Sequence, residues 1–146
     1  MDPSGETNLD RLLSNLKPEL ELSPYIFCTV SESQWHDLKI EPRGTFQEQE
    51  GFTLILTQSQ ADEAGLDYQG HWACITLTVH SSLEAVGLIA AVSTRLAEAG
   101  ISTNPVAGYY HDHLFVPWDR RGEAMALLLE LQKPADNTAS DKHPRL

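Results

Sequence analysis

The sequence predicts an α/β protein of the α+β kind: two ferredoxin-like βαββαβ units in tandem, with antiparallel sheets carrying helices on one face. Three observations carry this expectation. Residues 73–80, ACITLTVH, alternate Ile75, Leu77 and Val79 against Cys74, Thr76, Thr78 and His80, the period of a half-buried strand. A helical stripe follows in which Ala85, Ile89, Val92, Leu96 and Ala99 recur at spacings of four and three. Two extended segments and a further helix then complete the order strand, helix, strand, strand, helix.

Each boundary in this second half has a local cause. Ser81-Ser82-Leu83-Glu84 fits a capping box, with Glu84 three residues after the Ser81 cap. Gly100 supplies the stop. ISTNPVAGYY and HLFVP read as strands meeting at His111 and Asp112. Asp119 is the expected N-cap of the last helix, whose apolar face is Ala124, Leu127, Leu128 and Leu131, with Pro134 beyond its end. Nothing after Leu131 can form the closing strand of the unit.

The first half is less regular. Leu9, Leu12, Leu13 and Leu16 mark a short helix ended by Pro18, and PYIFCTV (24–30) is a strand. Residues 31–44 give no clean period and read as a loop. Residues 44–57 read as a hairpin turning near Glu50-Gly51, after which Ser59 caps a short helix closed by Gly65. This half reads as a degenerate copy lacking its first strand, so each half is expected to complete the other's sheet. The resulting plan is a disordered N-terminus (1–6), a degenerate first unit (7–70), a second unit (71–132) and a disordered tail (133–146) that includes His143.

Composition narrows function. Ten Lys and Arg against 21 Asp and Glu give a net charge of −11 and no basic stripe, which disfavours nucleic acid and anionic membrane surfaces. No apolar run approaches the roughly 20 residues of a membrane span, and MDPSGETNLD is not a secretory leader. Cys28 and Cys74 lie far apart inside apolar runs and read as reduced, buried thiols, which makes the cytoplasm the expected compartment.

The stretch GYYHDHLF, 108–115, admits three readings. As a metal site it offers His111 and His113, but zinc normally takes three or four protein ligands, and His36, His71 and His80 have no spacing that joins them to the pair. As a catalytic His–Asp pair it lacks a nucleophile. As a hairpin corner it needs only Asp112 at the turn, the histidines flanking it and Tyr109 and Tyr110 packed below. The hairpin is the preferred reading. No dinucleotide fingerprint, P-loop, nucleophile elbow or zinc-protease motif is present, so no catalysis and no cofactor is expected. Trp35, Trp72 and Trp118 are expected at core edges or interfaces.

The segment ITLTVHSSLEAVGLIAAVSTRLAEAGISTNPVAGYYHDHLFVP resembles an ACT domain, and AVGLIAAVSTRLAEAGIS is similar to the helix and following strand in the ACT pairs of aspartate kinase. With YIFCTV and EGFTLILT upstream, the chain resembles a small stand-alone tandem ACT protein, distantly akin to CASTOR-type amino-acid sensors. The resemblance is strong over 73–131, weaker over 20–72 and absent from the tail. It implies a regulatory protein that binds an amino acid or similar small molecule and acts through a homodimer or a regulated enzyme partner. The implied site is the turn Ser81, Ser82, Leu83, Glu84, Ala85, Val86, Gly87 and Leu88, facing Ser102, Asn104 and Val106. Physically, a helix start offers unpaired N–H donors and a positive dipole end to a carboxylate. Pro105 departs from the simplest pattern, because it removes a donor from a strand edge that ACT assemblies often pair. The alternative is an interaction module whose pocket has decayed.

Overall fold

The computed structural model describes residues 5–133; residues 1–4 and 134–146, with most of the two expected disordered ends and His143, lie outside the described residues. The elements are α1 (Leu9–Ser14), β1 (Pro18–Leu20), β2 (Tyr25–Val30), α2 (Glu32–Asp37), β3 (Gly44–Gln47), β4 (Phe52–Thr57), α3 (Gln58–Ala64), β5 (Trp72–Leu77), α4 (Leu88–Glu98), β6 (Asn104–Ala107), β7 (Asp112–Pro117) and α5 (Arg121–Gln132). All the strands join one seven-stranded sheet in the order β3-β4-β2-β5-β7-β6, with β1 alongside β5. Every pairing is antiparallel.

The missing closing strand of the second half comes from the N-terminus. Pro18, Glu19 and Leu20 pair with Leu77, Thr76 and Ile75, which puts β1 where a strand following α5 would lie. The Lys17 amide donates to Gln132 Oε1 at 2.7 Å, so β1 begins beside the end of α5. Helix α1 goes with it: Leu12 and Leu16 are fully buried in one core with Ile75, Leu77, Leu88, Val92, Leu96, Leu114, Val116, Ala124 and Leu128.

The first half does not lack its opening strand. β2 takes that position, and residues 31–44, expected as a loop, contain α2. Ser31 and Gln34 form a reciprocal capping box there, yet no residue of α2 is buried, so the segment carries no apolar period. Trp35 stacks on Phe52 at 5.6 Å instead. What this half lacks is a full closing strand, since β5 pairs with β2 only at Tyr25 and Trp72. Its core is Ile26, Val30, Leu54, Leu56 and Ala61. Thr57, not Ser59, caps α3, because Gln60 three residues on closes the box. Asp119 likewise does not cap α5: it lies inside a 3-10 turn, 118–120, and Arg120 occupies the cap position.

The two faces of the sheet follow from the period of two. Ile26, Leu54, Leu56, Ile75, Leu77, Leu114 and Val116 meet the helices. On the other face Tyr25, Ile55, Cys74 and Phe115 form a third cluster, flanked by Phe27 and Trp72. Phe115 takes edge-on contacts from Tyr25 at 5.8 Å and Phe27 at 5.2 Å. This cluster spans both halves and explains why Cys74, on the expected polar side of its strand, is fully buried.

Candidate functional site

The turn after β5 is held open by the N-terminus. Glu6 N–H donates to the His80 carbonyl and Ser82 N–H to the Glu6 carbonyl, both at 2.9 Å, forming a parallel bridge between Glu6 and Ser81. The approach is close enough that a Cβ on Gly5 would meet Ser82 N at 2.7 Å. Pinned in an extended conformation, Ser81 cannot begin a helix, and the expected capping box does not form. The Glu84 amide turns back to Ser82 Oγ at 3.0 Å, and α4 starts only at Leu88.

Gly87 therefore takes the cap position, at φ +99°, with no side chain capping the helix. The first amides of α4 are left without the usual side-chain acceptor. Beside them is a cleft of about 190 Å³ lined by Ser81, Ser82, Leu83, Ala85, Gly87, Leu88, Ile89, Ala90, Ala107 and Asp112. Ser81 Oγ donates to Asp112 Oδ2 at 3.1 Å, and both residues are buried. An uncapped helix start and a buried carboxylate thus share one small cleft.

Of the residues expected at the site, Ser81, Ser82, Leu83, Ala85, Gly87 and Leu88 line this cleft. Glu84 and Val86 sit on the same turn but are exposed, Val86 at 83%. Ser102 is exposed before β6. Asn104 and Val106 are turned away. Their register partners are Phe115 and His113, on the face opposite the helices, whereas Ala107 pairs with Asp112 and reaches the cleft. A strand residue's side follows from its parity, and a one-residue shift decides the matter.

Asp112 is the functional candidate that sequence reasoning misplaced. It opens β7, and the corner of the hairpin is Tyr109-Tyr110, closed by Gly108 N–H to the His111 carbonyl at 2.9 Å. The tyrosines are exposed at 62% and 52% rather than packed below. His111 Nδ1 contacts the Val79 carbonyl at 3.3 Å and His113 Nδ1 contacts Thr76 Oγ1 at 2.9 Å. Among the described residues no group of three or more His, Cys, Asp or Glu could hold a metal. The signal that could have found Asp112 is its alternation with Leu114 and Val116, which puts a carboxylate on the buried face. Burial pushes the Cys74 thiol up to about 12 and raises Cys28 as well, so neither is a poised nucleophile. No helix among the described residues is long and apolar enough to cross a membrane.

The fold is a pair of ferredoxin-like units with a cleft at a strand-to-helix turn. Two ACT-domain family models match in tandem, over residues 4–73 and 69–130. The chain belongs to the ACT-domain family, whose domains are typically regulatory and ligand-binding. No curated protein matches the sequence. Among solved structures, a Vibrio cholerae protein of unknown function, described as a possible transport protein, is 48% identical. The alignment covers 86% of this chain and 96% of that one, with a TM-score of 0.77. An Agrobacterium tumefaciens protein matches at 17% identity over 79% of this chain and 87% of its own, TM-score 0.62. The regulatory subunit of Thermus flavus aspartate kinase matches at 9% identity over 80% and 97%, TM-score 0.61. These last two share the fold.

Proposed function

We propose that this protein is a non-catalytic ACT sensor of an amino acid or a similar small zwitterion, bound in the cleft at the start of α4. The observation that carries the reading is the pairing of opposite recognition chemistries across that cleft. The N–H groups of Leu88, Ile89 and Ala90 suit a carboxylate, and the Asp112 carboxylate suits an ammonium group. Leu83, Ala85 and Ala107 enclose a short apolar side chain. Ser81 holds Asp112 in place through its hydroxyl.

The output is regulation of a partner, either a second copy of this chain or an enzyme whose activity follows the ligand. Leu83 and Val86 stand exposed on the ligand turn, and Tyr110 lies against the His80 ring at 5.1 Å, one residue before Ser81. A partner seated on this apolar rim would sense whether the cleft is filled. The same rim also supports the second reading, an assembly module in which the cleft is vestigial.

A thermal-shift screen of the amino acids separates the two. A ligand at one hundred times its dissociation constant stabilises the folded state by about 2.7 kcal/mol. The expected result is a rise with one amino acid or a small related set, lost in Ala107→Leu, which fills the cleft from the β6 side. No rise with any amino acid at millimolar concentration would leave the assembly reading.

A further inference from the structure

We propose a second ligand site on the opposite face of the sheet, between the β3 and β6 edges, suited to a monocarboxylate with a short aromatic or branched aliphatic arm. Two clefts meet there. One, of about 170 Å³, is lined by Arg43, Gly44, Ile55, Val106, Gly108, His113 and Phe115. The other, of about 390 Å³, is lined by Phe27, Phe46, Ile55 and Val106 together with Thr45, Thr53 and the Glu48 carboxylate. Gly44, Ile55 and Val106 border both, so they form one groove with a polar end and an apolar end.

The polar end is built. Arg43 Nη1 donates to Glu21 Oε1 at 2.7 Å and to Tyr25 Oη at 2.8 Å, and Tyr25 donates to the same Glu21 oxygen at 2.7 Å. These bonds fix the guanidinium at the cleft wall, and because they use Nη1 they leave the rest of its donor fork for a ligand. Burial raises the Glu21 carboxyl, but the bonds from Tyr25 and Arg43 prevail and hold it below its ordinary value. His113 is anchored through Nδ1 to Thr76 Oγ1, which leaves Nε2 as its second polar atom. A Cβ on Gly108 would come within 3.4 Å of that Nε2 and 3.0 Å of the His111 carbonyl, so glycine keeps this end clear.

The apolar end has an exposed aromatic with no core to explain it. Phe46 is 72% exposed on the edge strand β3, over a floor of Phe27 and Ile55. A carboxylate placed between Arg43 and His113 would lay its hydrocarbon arm along Ile55 and Val106 toward Phe46. Such a ligand carries no ammonium group and is not a match for the cleft at α4, so this site stands or falls separately from the sensor reading.

The test is calorimetric titration of the full chain with phenylacetate, using phenylacetamide as the uncharged control. The expected result is saturable phenylacetate binding, weaker for the amide by about tenfold or more. It should be lost in Val106→Trp, which fills the groove from an edge strand that tolerates aromatics, and kept in Ala107→Leu. The double variant Glu21→Gln with Arg43→Gln removes both charges together and should erase the preference for acid over amide. Absence of saturable binding, equal binding of acid and amide, or binding that survives Val106→Trp but not Ala107→Leu would each overturn the proposal.

Discussion

Ser81 and Asp112, 31 positions apart, are joined by a 3.1 Å hydrogen bond inside the cleft, with Ser81 8% and Asp112 8% exposed. The bond ties the ligand turn to the first residue of β7. Asp112→Asn keeps an oxygen acceptor for Ser81 but removes the charge that the proposed function assigns to an ammonium group. The unliganded melt should change little. On the proposed reading, the affinity for an amino acid should fall about tenfold or more, since hydrogen bonds to charged groups contribute about 1.5–3 kcal/mol. Denaturation scans with and without ligand check both halves of the statement.

Gly87 lies at φ +99°, and a Cβ there would meet Leu9 Cδ2 at 3.3 Å. Any L-residue is strained at this backbone angle, by about 1–2 kcal/mol. Gly87→Ala should therefore lower stability before any ligand is added, and Gly87→Val more so. Urea unfolding measures it. For this reason Ala107→Leu is the cleaner way to fill the cleft.

Leu12 is fully buried against the second half although it lies before β2 in the chain. Leu12→Ala should cost about 2–5 kcal/mol, the usual range for a large-to-small change in a core. A fragment beginning at residue 70 loses α1 and β1 altogether and should show no cooperative melt. A cooperative, monomeric transition from that fragment would mean that the N-terminal segment is dispensable.

Burial, with the charges of Arg43 and His111 adding to it, holds the His113 imidazole below the ordinary histidine value of 6.5. The folded state therefore binds fewer protons than the unfolded state in the window below 6.5. The stability contributed by neutral His113 is present above that value and is lost as pH falls through the depressed folded pKa. Wild-type unfolding free energy should decline across this window, and His113→Gln should show a shallower decline. The same variant tests the metal reading: zinc bound stoichiometrically to wild type and absent from His113→Gln would revive it.

The second half was legible where local chemistry decides structure. There the alternation of Ile75 and Leu77 and the spacing of Val92 and Leu96 are written in periods of two and about 3.6, although the stripe expected from Ala85 and Ile89 begins in the structure at the buried Leu88; in the first half, the hairpin near Gly51 is written in its turn residues. What local chemistry could not supply was long-range. Ser81 carries a sound capping box in sequence, but in the fold it is held in a bridge to Glu6. Helix α2 buries no residue, so it left no apolar trace. Within the site, the turn was readable and its opposite wall was not. Asn104 and Val106 against Ala107 and Asp112 is a choice of strand register, which depends on pairing rather than on composition.

β1 precedes every other strand along the chain, yet it begins beside the end of α5, where the Lys17 amide meets Gln132, 115 positions on. The elements from β2 to α3 are consecutive and can pair as they emerge. The half that holds the turn at residues 81–88 closes its sheet only when β1 docks on β5 and α1 enters the core beside it. Completion of the cleft is thereby tied to a contact distant in sequence: the bridge that holds its turn open joins Glu6 to Ser81. A protein cleaved before α5 would lose Ala124 and Leu128 from the core that α1 enters, and wherever β1 then failed to dock it would leave the β5 edge open to other chains.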